Sequence, residues 1–211
     1  MNPKLKKYWS QNEGLSLDFK ECITSANKIA KTLVAFANQK GGHVVVGVSD
    51  NKQLPGIVPE EEKFMIELAA KQYCKPPLEP QYEVIESGNK SFLLVLIAES
   101  TEKPCLAKNE KGAWKAYIRI EDSSTLSGPV WYLGQVYKKT GPELIHLDAT
   151  DQKIMSFIAN HPMQNLEQCI KTLKMNRRKL VKRLAQLLHL KLIQIQYNPH
   201  REECFVIASP K

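Results

Sequence analysis

The amino-acid sequence predicts an α+β layer fold followed by a small basic helical module. Helix-like and strand-like segments alternate over the first part of the chain, which is typical of layered sheets and helices. Three helix-like segments and two strand-like segments follow, and this is the order of a winged-helix (helix-turn-helix) domain. We therefore predict a mixed sheet with flanking helices over residues 1–142 and a winged-helix domain over residues 148–211.

The elements of the first region are predicted from periodicity and turn residues. Apolar residues recur at helical spacing from Ser25 to Asn38, with Ser25 as a candidate N-cap and Gly41-Gly42 as the stop. The β-branched run from His43 to Val48 predicts a strand buried on both faces. The same criteria predict further strands at 13–19, 81–86, 91–98 and 115–121, and helices at 59–74 and 128–140.

The second region follows a break at Thr140-Gly141-Pro142. Helical spacing predicts three helices, at 151–160, 166–173 and 176–189, and strand patterns lie at 192–196 and 204–208. The third helix carries one leucine stripe, and its polar positions are almost all cationic. This pattern predicts a helix whose leucine face packs on a core and whose cationic face is open to a partner.

Composition excludes several classes of protein. None of the 211 residues belong to an apolar stretch long enough to cross a bilayer, and no apolar signal segment follows the N-terminal lysines. The five cysteines show no C-x-x-C spacing, which argues against a disulfide framework and against a structural zinc site. We expect a cytoplasmic protein with reduced thiols and no membrane partner.

Positive charge is concentrated in the second region. Residues 151–211 carry 11 Lys and Arg against 4 Asp and Glu, a net +7 of the +8 of the whole chain. Between Glu167 and Glu202 the sequence has no acidic residue. Such asymmetry indicates a polyanionic partner, and nucleic acid is the leading candidate.

The third helix of this region supplies most of the candidate nucleic-acid contacts. Lys and Arg side chains bind phosphates, and the second helix of a helix-turn-helix enters the major groove. Two alternatives stay open, an ordinary solvated helix face and a winged helix used for dimerisation. The candidate contacts are Lys174, Arg177, Arg178, Lys179, Lys182 and Arg183.

Three acidic residues, Glu13, Asp18 and Asp50, flank the predicted strands of the first region. If the turn at Gly41-Gly42 brings two strands side by side, their carboxylates can converge. Such oxygen ligands suit Mg²⁺ or Mn²⁺, which activates water for phosphodiester cleavage. The alternative is that these residues occupy surface turns without a metal.

The glycines near this turn allow a second kind of site. Gly41, Gly42 and Gly47 do not form a Walker A sequence, which disfavours a P-loop NTPase. Backbone N–H groups there could still approach a phosphate, so binding of ATP stays open. The other interpretation is a helix stop and a tight turn.

These residues resemble the Schlafen AlbA-like domain family, whose members are described as nucleic-acid-binding domains. The resemblance covers about residues 10–140. Many bacterial members carry a C-terminal winged helix, similar to the one that the second region predicts. The matching motifs are Glu13, Asp18-Phe19-Lys20, Ala35-Phe36-Ala37-Asn38, Gly41-Gly42, Gly47-Val48-Ser49-Asp50, Lys103-Pro104 and Ala116-Tyr117-Ile118-Arg119.

The resemblance implies an AlbA-like mixed sheet and adds Lys20 and Arg119 as candidate nucleic-acid contacts. Three carboxylates carry the reaction in vertebrate Schlafens that cleave tRNA and rRNA, and by resemblance they fall on Glu13, Asp18 and Asp50. Asp18 is one methylene shorter than the family's glutamate, and those nucleases pair two lobes where this chain would need a homodimer. The sequence thus predicts a protein that binds DNA or structured RNA, with a transcriptional regulator first and a Mg²⁺- or Mn²⁺-dependent endoribonuclease as the alternative.

Overall fold

A computed structural model describes residues 1–140 and 146–208. The chain divides into two compact units, Met1–Leu126 and Ser127–Lys211. The predicted break at Gly141-Pro142, and with it the predicted end of the first domain, lies outside the described residues. Among the described helices, none is both long and apolar enough to cross a membrane.

The first unit, which is described throughout, is an α+β assembly of two four-stranded sheets and three helices. Its elements are α1 (Pro3–Trp9), β1 (Leu17–Lys20), α2 (Ala26–Ala37), β2 (Gly42–Val46), α3 (Pro59–Gln72), β3 (Cys74–Lys75), β4 (Gln81–Ser87), β5 (Lys90–Ile97), β6 (Leu106–Lys108), β7 (Trp114–Ile120) and β8 (Ser123–Leu126). The predicted α+β class with a mixed sheet and flanking helices is confirmed.

The two sheets differ in strand direction. The first has the order β1-β2-β5-β4, with β1 and β2 parallel and the other pairs antiparallel. The second is antiparallel throughout, in the order β3-β6-β7-β8. In the parallel pair, Asp18 lies opposite Val44, so the two strands do lie side by side as the glycine turn predicts.

Helix α2 lies at the centre of the first unit. Nine of its residues are buried, and it packs against β6 and β7 of the second sheet and against β5 of the first. The opposite face of the first sheet packs Phe19 and Val45 against Leu5 of α1. The first sheet is thus covered on both faces, which explains the unbroken apolar run of β2.

Sequence periodicity locates the long elements of this unit and misses the short ones. Helices α2 and α3 and strands β2, β4, β5 and β7 form within a few residues of their predicted bounds. Helix α1 and strands β3, β6 and β8 are too short to show a clear period. Ser25 is the N-cap residue of α2, but its hydroxyl makes no capping hydrogen bond.

The second unit combines four described helices with a small antiparallel sheet of order β10-β11-β9. Its core contains Ile154, Leu180, Leu184 and Phe205. Its described elements are α4 (Pro129–Thr140), α5 (Ala149–Asn160), β9 (Gln164–Asn165), α6 (Leu166–Leu173), α7 (Arg177–His189), β10 (Ile193–Tyr197) and β11 (Glu203–Ile207). Every element predicted from residue 151 onward is present.

Helix α4 belongs to the second unit, although the sequence places it at the end of the first. It packs against α7, and its Gly134 permits the approach, since a Cβ there would lie 2.9 Å from Leu188 Cδ2. The apolar residues of α4, such as Val130, join the core of the second unit. The division after Leu126 therefore lies before the helix, earlier than the predicted break.

A buried carboxylate fixes the start of α4. Glu203 in β11 accepts hydrogen bonds from the backbone N–H groups of Val130 at 3.2 Å and Trp131 at 2.9 Å. Burial raises the pKa of Glu203 to about 7, and the two hydrogen bonds offset this only in part. The Glu203 carboxyl group lies at the positive end of α4, which favours its ionised form, but burial outweighs this effect. The group therefore gains or loses its proton near neutral pH.

We expect the second unit to lose stability as pH rises between 4.5, the ordinary pKa of this group, and about 7. In that range the folded state holds the Glu203 proton and the unfolded state does not, so folding takes up a proton. The free energy of unfolding should fall by roughly 3 kcal/mol across the range and then level off.

The measurement is urea unfolding at several pH values, with Trp131 kept as the sole tryptophan by replacing Trp9 and Trp114 with Phe. Glu203→Gln keeps one acceptor oxygen, enough for one of the two backbone N–H groups, and has no proton to release. Its stability should be nearly flat over this pH range. An equal pH dependence in both proteins would contradict the assignment to Glu203.

Candidate functional site

The Asp18 carboxylate is committed to a buried ion pair. Side chains alternate along β1, so Leu17 and Phe19 face the α1 side while Asp18 faces α2 and β7. Its Oδ1 accepts from Arg119 Nη1 at 2.9 Å, and its Oδ2 lies 2.5 Å from Lys20 Nζ. Oδ2 is buried and accepts no well-aligned hydrogen bond from a described residue, so the Lys20 ammonium is its compensating charge.

Arg119 is held inside the first unit from several sides. Its side chain donates to the carbonyl oxygens of Gly14 at 2.9 Å and Leu17 at 3.3 Å, and its guanidinium lies 4.9 Å from the ring centre of Phe36. Only 2% of the residue is exposed. The predicted role of Arg119 in nucleic-acid contact is therefore corrected, because a phosphate cannot reach it.

Lys20, the other candidate contact of this unit, is partly exposed. Its ammonium donates to the carbonyl oxygen of Phe19 at 2.8 Å and neutralises Asp18. Its charge is therefore largely used within the protein, and any phosphate contact would compete with Asp18.

Glu13 and Asp50 take no part in the ion pairs of Asp18. Glu13 Oε1 accepts from the backbone N–H of Phe19 at 2.6 Å, and this bond holds the segment before β1. Lys52, two residues after the exposed Asp50, places its ammonium 3.8 Å from the ring centre of Phe19. The loop of Asp50 thus lies on the Phe19 face of β1, whereas Asp18 points to the other face.

The predicted three-carboxylate metal site is not formed in the described part of the chain. No group of three or more His, Cys, Asp or Glu side chains there could hold a metal ion. Of the three candidate ligands, Asp18 is paired with Arg119 and Lys20, and Glu13 accepts from the backbone N–H of Phe19. These residues do not fit Mg²⁺ or Mn²⁺, and their geometry supports no cleavage step through a metal.

The glycine turn is a packing device. Gly41 has φ +76°, which favours glycine, and a Cβ at Gly42 would lie 2.4 Å from Phe36 Cδ1. The turn therefore lets β2 pass closely over α2. This geometry supports the interpretation of a helix stop and tight turn, and no feature of the turn calls for a nucleotide.

The Asn38 side chain completes the buried network at the end of α2. Its Nδ2 donates to the carbonyl oxygens of Cys105 at 2.9 Å and Tyr117 at 2.8 Å, and its Oδ1 accepts from Cys105 N–H at 2.7 Å. Asn38 thereby ties the helix to the strands of the second sheet. The buried contacts of these motif residues therefore hold the helices and sheets of the first unit together, and we call them its structural framework.

A sequence profile described as Schlafen, AlbA_2 matches residues 13–127, which is the region of this framework. The chain belongs to the Schlafen AlbA_2 family. The match ends one residue after the first compact unit ends at Leu126. We refer to this unit as the AlbA_2 unit below.

Comparison with solved structures gives distant likenesses. The DIP2311 protein from Corynebacterium diphtheriae aligns with 90% of this chain at 11% identity and a TM-score of 0.47, and the chain spans 34% of that protein. The N-terminal domain of a RecG-related protein from Nitrosomonas europaea aligns with 69% of this chain and 93% of its own length, at 17% identity and a TM-score of 0.43. No curated protein sequence matches the chain.

Outside the AlbA_2 unit, five of the predicted cations are exposed, and four of them, all except Arg177, stand outside the ion pairs of the described residues. Lys174 ends α6 in a left-handed conformation, with φ 53°. These four side chains make no ion pair with any described residue, and the exposed Lys171 extends the set by one turn of α6. We call them the cationic surface, which consists of Lys171, Lys174, Arg178, Lys179 and Lys182.

Arg183, also a predicted contact, has a structural role. Its guanidinium donates to Asp151 Oδ2 and Asp148 Oδ2, each at 2.7 Å, and its side chain is 22% exposed. Asp148 and Asp151 form the capping box of α5, so Arg183 ties α7 to the start of that helix. Its prediction as a nucleic-acid contact is corrected, because both ends of its guanidinium are occupied.

Arg177 pairs with Glu167, the residue that precedes the acid-free stretch. Both side chains are more than half exposed. An exposed pair of this kind contributes little to stability, so a phosphate can replace the carboxylate with little loss. Arg177 therefore remains a candidate contact.

Sequence reasoning missed an aromatic neighbour of these cations. A groove of about 560 Å³ between α4 and α7 has Leu133, Tyr137 and Val181 beside Arg178 and Lys182. The apolar spacing of α4 is the signal that could have found it, but the sequence places that helix in the first region. Aromatic and cationic groups in one groove can contact both the bases and the phosphates of a nucleic acid.

Proposed function

We propose that this is a nucleic-acid-binding protein whose second unit is a winged helix that contacts duplex DNA through α7. The observation that carries this proposal is the cationic surface, which has no carboxylate partner among the described residues. Polyanion binding releases counterions in proportion to the phosphates contacted, and this surface offers five cations for that purpose.

The order of elements supports a helix-turn-helix reading of the second unit. Three residues, 174–176, separate α6 from α7, and Asn176 Oδ1 accepts from the backbone N–H of Arg178 at 2.9 Å. Strands β10 and β11 then form an antiparallel pair that corresponds to a wing. In such an arrangement the N-terminal half of α7 faces the groove of DNA, and Arg178, Lys179 and Lys182 lie in that half.

A role as a transcriptional regulator is the finer form of this proposal. It requires readout of base edges as well as phosphate contact. Arg178 can donate two hydrogen bonds to guanine, and Gln186 one turn beyond Lys182 can pair with adenine. The AlbA_2 unit is proposed to add nucleic-acid contacts rather than catalysis, because its carboxylates do not group.

We expect the triple variant Arg178→Ala, Lys179→Ala and Lys182→Ala to bind duplex DNA at least tenfold more weakly at moderate salt. Each lost phosphate contact should also reduce the slope of log K against log salt by about 0.9. Fluorescence anisotropy with a labelled duplex at several salt concentrations measures both quantities.

The matched control replaces three exposed lysines of the AlbA_2 unit with Ala: Lys40, Lys75 and Lys111. It lowers the net charge by the same amount as the α7 variant. Its affinity should change much less, because these residues lie outside the cationic surface. Equal affinity and equal salt slope for wild type and the α7 variant would reject the proposal. A single-stranded RNA of equal length, assayed in parallel, identifies the preferred nucleic acid.

A further inference from the structure

The second unit contains an open groove that the proposed nucleic-acid contacts do not use. It has a volume of about 840 Å³ and lies between α4, the end of α7 and strand β10. Its walls include the apolar side chains of Trp131, Leu188, Ile193, Ile195 and Ile207. A volume of this size matches the sites that hold small organic ligands.

Gln135 indicates that the groove accepts a polar group. The residue lines the groove and is only 8% exposed, yet its amide has no hydrogen-bond partner among the described residues. Its amide atoms open onto the groove, because they are not among the buried polar atoms that lack a partner. A ligand that presents an oxygen to Gln135 would satisfy it.

The charged residues that line the groove favour a ligand with a negative charge. Lys138 and Lys191 are the only ionisable side chains that line it among the described residues, and no carboxylate faces them. The groove therefore combines an apolar wall, a hydrogen-bond donor and two cations. This combination complements a molecule with an apolar body and an anionic head.

We propose that this groove binds a small organic carboxylate with an apolar body. The apolar body lies against Trp131, Ile193 and Ile195, and the carboxylate accepts from Gln135 and pairs with Lys138 or Lys191. The groove is formed by the end of α7 and by β10, so a bound carboxylate would contact the elements proposed to meet DNA. The site itself does not depend on the proposed function.

The probes are butyrate, hexanoate and octanoate, with octanamide as the neutral match for the longest acid. We expect octanoate to bind at one site and to change the fluorescence of Trp131, with affinity rising by up to about fourfold for each added methylene. Octanamide should bind about tenfold more weakly than octanoate. Two methods measure the affinities of octanoate and octanamide in the absence of nucleic acid: calorimetry and tryptophan fluorescence. The variant Trp131→Phe shows whether Trp131 is the tryptophan whose fluorescence changes.

Three variants place the ligand. The double variant Lys138→Glu with Lys191→Glu should weaken octanoate binding at least tenfold and leave octanamide binding unchanged. The control is Lys153→Glu on α5, outside the groove, which should change the binding of neither ligand. Gln135→Leu should weaken octanoate several-fold without lowering the midpoint of urea unfolding, because the amide makes no hydrogen bond in the described structure.

Two outcomes would overturn the proposal. One is that octanoate fails to bind, or binds equally to the wild type and to the Lys138 and Lys191 variant. The other is that the groove is covered by a second copy of the chain along β10, a strand that pairs only with β11 among the described residues. Analytical ultracentrifugation would then show a dimer, and Trp131 fluorescence would change with protein concentration in the absence of ligand.

Discussion

Replacing Arg119 with Met should lower the free energy of unfolding of the AlbA_2 unit by about 3 kcal/mol or more. The substitution leaves the Asp18 carboxylate buried without its guanidinium partner, and breaking a buried ion pair in this way costs about 3–5 kcal/mol. It also removes the donors to the carbonyl oxygens of Gly14 and Leu17. Lys20 stays beside Asp18 and limits the loss.

The measurement is urea unfolding followed by far-ultraviolet circular dichroism and by Trp9 and Trp114 fluorescence, with Trp131 replaced by Phe. The control is Asp50→Asn, which alters an exposed carboxylate with no structural partner among the described residues and should change stability by less than about 0.5 kcal/mol. The double variant Asp18→Asn with Arg119→Met removes the buried charge and should recover part of the loss.

A stability loss for Arg119→Met as small as that expected for Asp50→Asn would contradict the structural assignment of Arg119. Two of these variants, Asp50→Asn and the double variant that contains Asp18→Asn, also bear on catalysis. A metal-dependent nuclease that used Asp18 and Asp50 would lose activity in both of these variants, whereas no group of three potential metal ligands forms among the described residues. Asp18 stabilises the fold, and Asp50 lies in an exposed loop.

The fold could be predicted from the sequence because its long elements carry strong periodic patterns. Helix α7 buries a leucine stripe, whereas helix α2 and strand β5 bury nearly continuous apolar runs, and hydrophobic burial dominates the choice of structure for such segments. Strand β3, with two residues, has no pattern of its own and forms because β6 offers it a partner. The pairing of distant segments is a tertiary effect that local sequence does not encode.

The candidate site was harder to predict because a charged residue looks the same in sequence whether it binds a ligand or a neighbouring side chain. Asp18 and Arg119 are 101 positions apart, and nothing local reveals that they form an ion pair. Arg183 belongs to a cationic run, yet it pairs with Asp148 and Asp151, which lie outside that run. The exposed cations of α7 could be predicted because helical spacing separates them from the leucine stripe.

The second large effect is expected at Asn38, which lies in the Ala35-Phe36-Ala37-Asn38 motif. Asn38→Ala should lower the free energy of unfolding of the AlbA_2 unit by roughly 3–5 kcal/mol, since it leaves several buried backbone groups without a partner. The residue is 3% exposed, so the groups of Cys105 and Tyr117 that lose their hydrogen bonds are not in contact with bulk water. Urea unfolding with the same tryptophan reporters measures this loss.

Asn38→Asp separates hydrogen bonding from packing, because it keeps the shape of the side chain. At neutral pH the introduced carboxylate can still accept from Cys105 N–H, but it faces the carbonyl oxygens of Cys105 and Tyr117 with no proton to donate. Its pKa should rise in the folded state, so the loss of stability should shrink as pH falls and the carboxyl gains a proton.

The exposed Asn12→Ala serves as the control, with an expected change below about 0.5 kcal/mol. If Asn38→Asp were as stable as the wild type at neutral pH, the amide could not be the link between α2 and the second sheet.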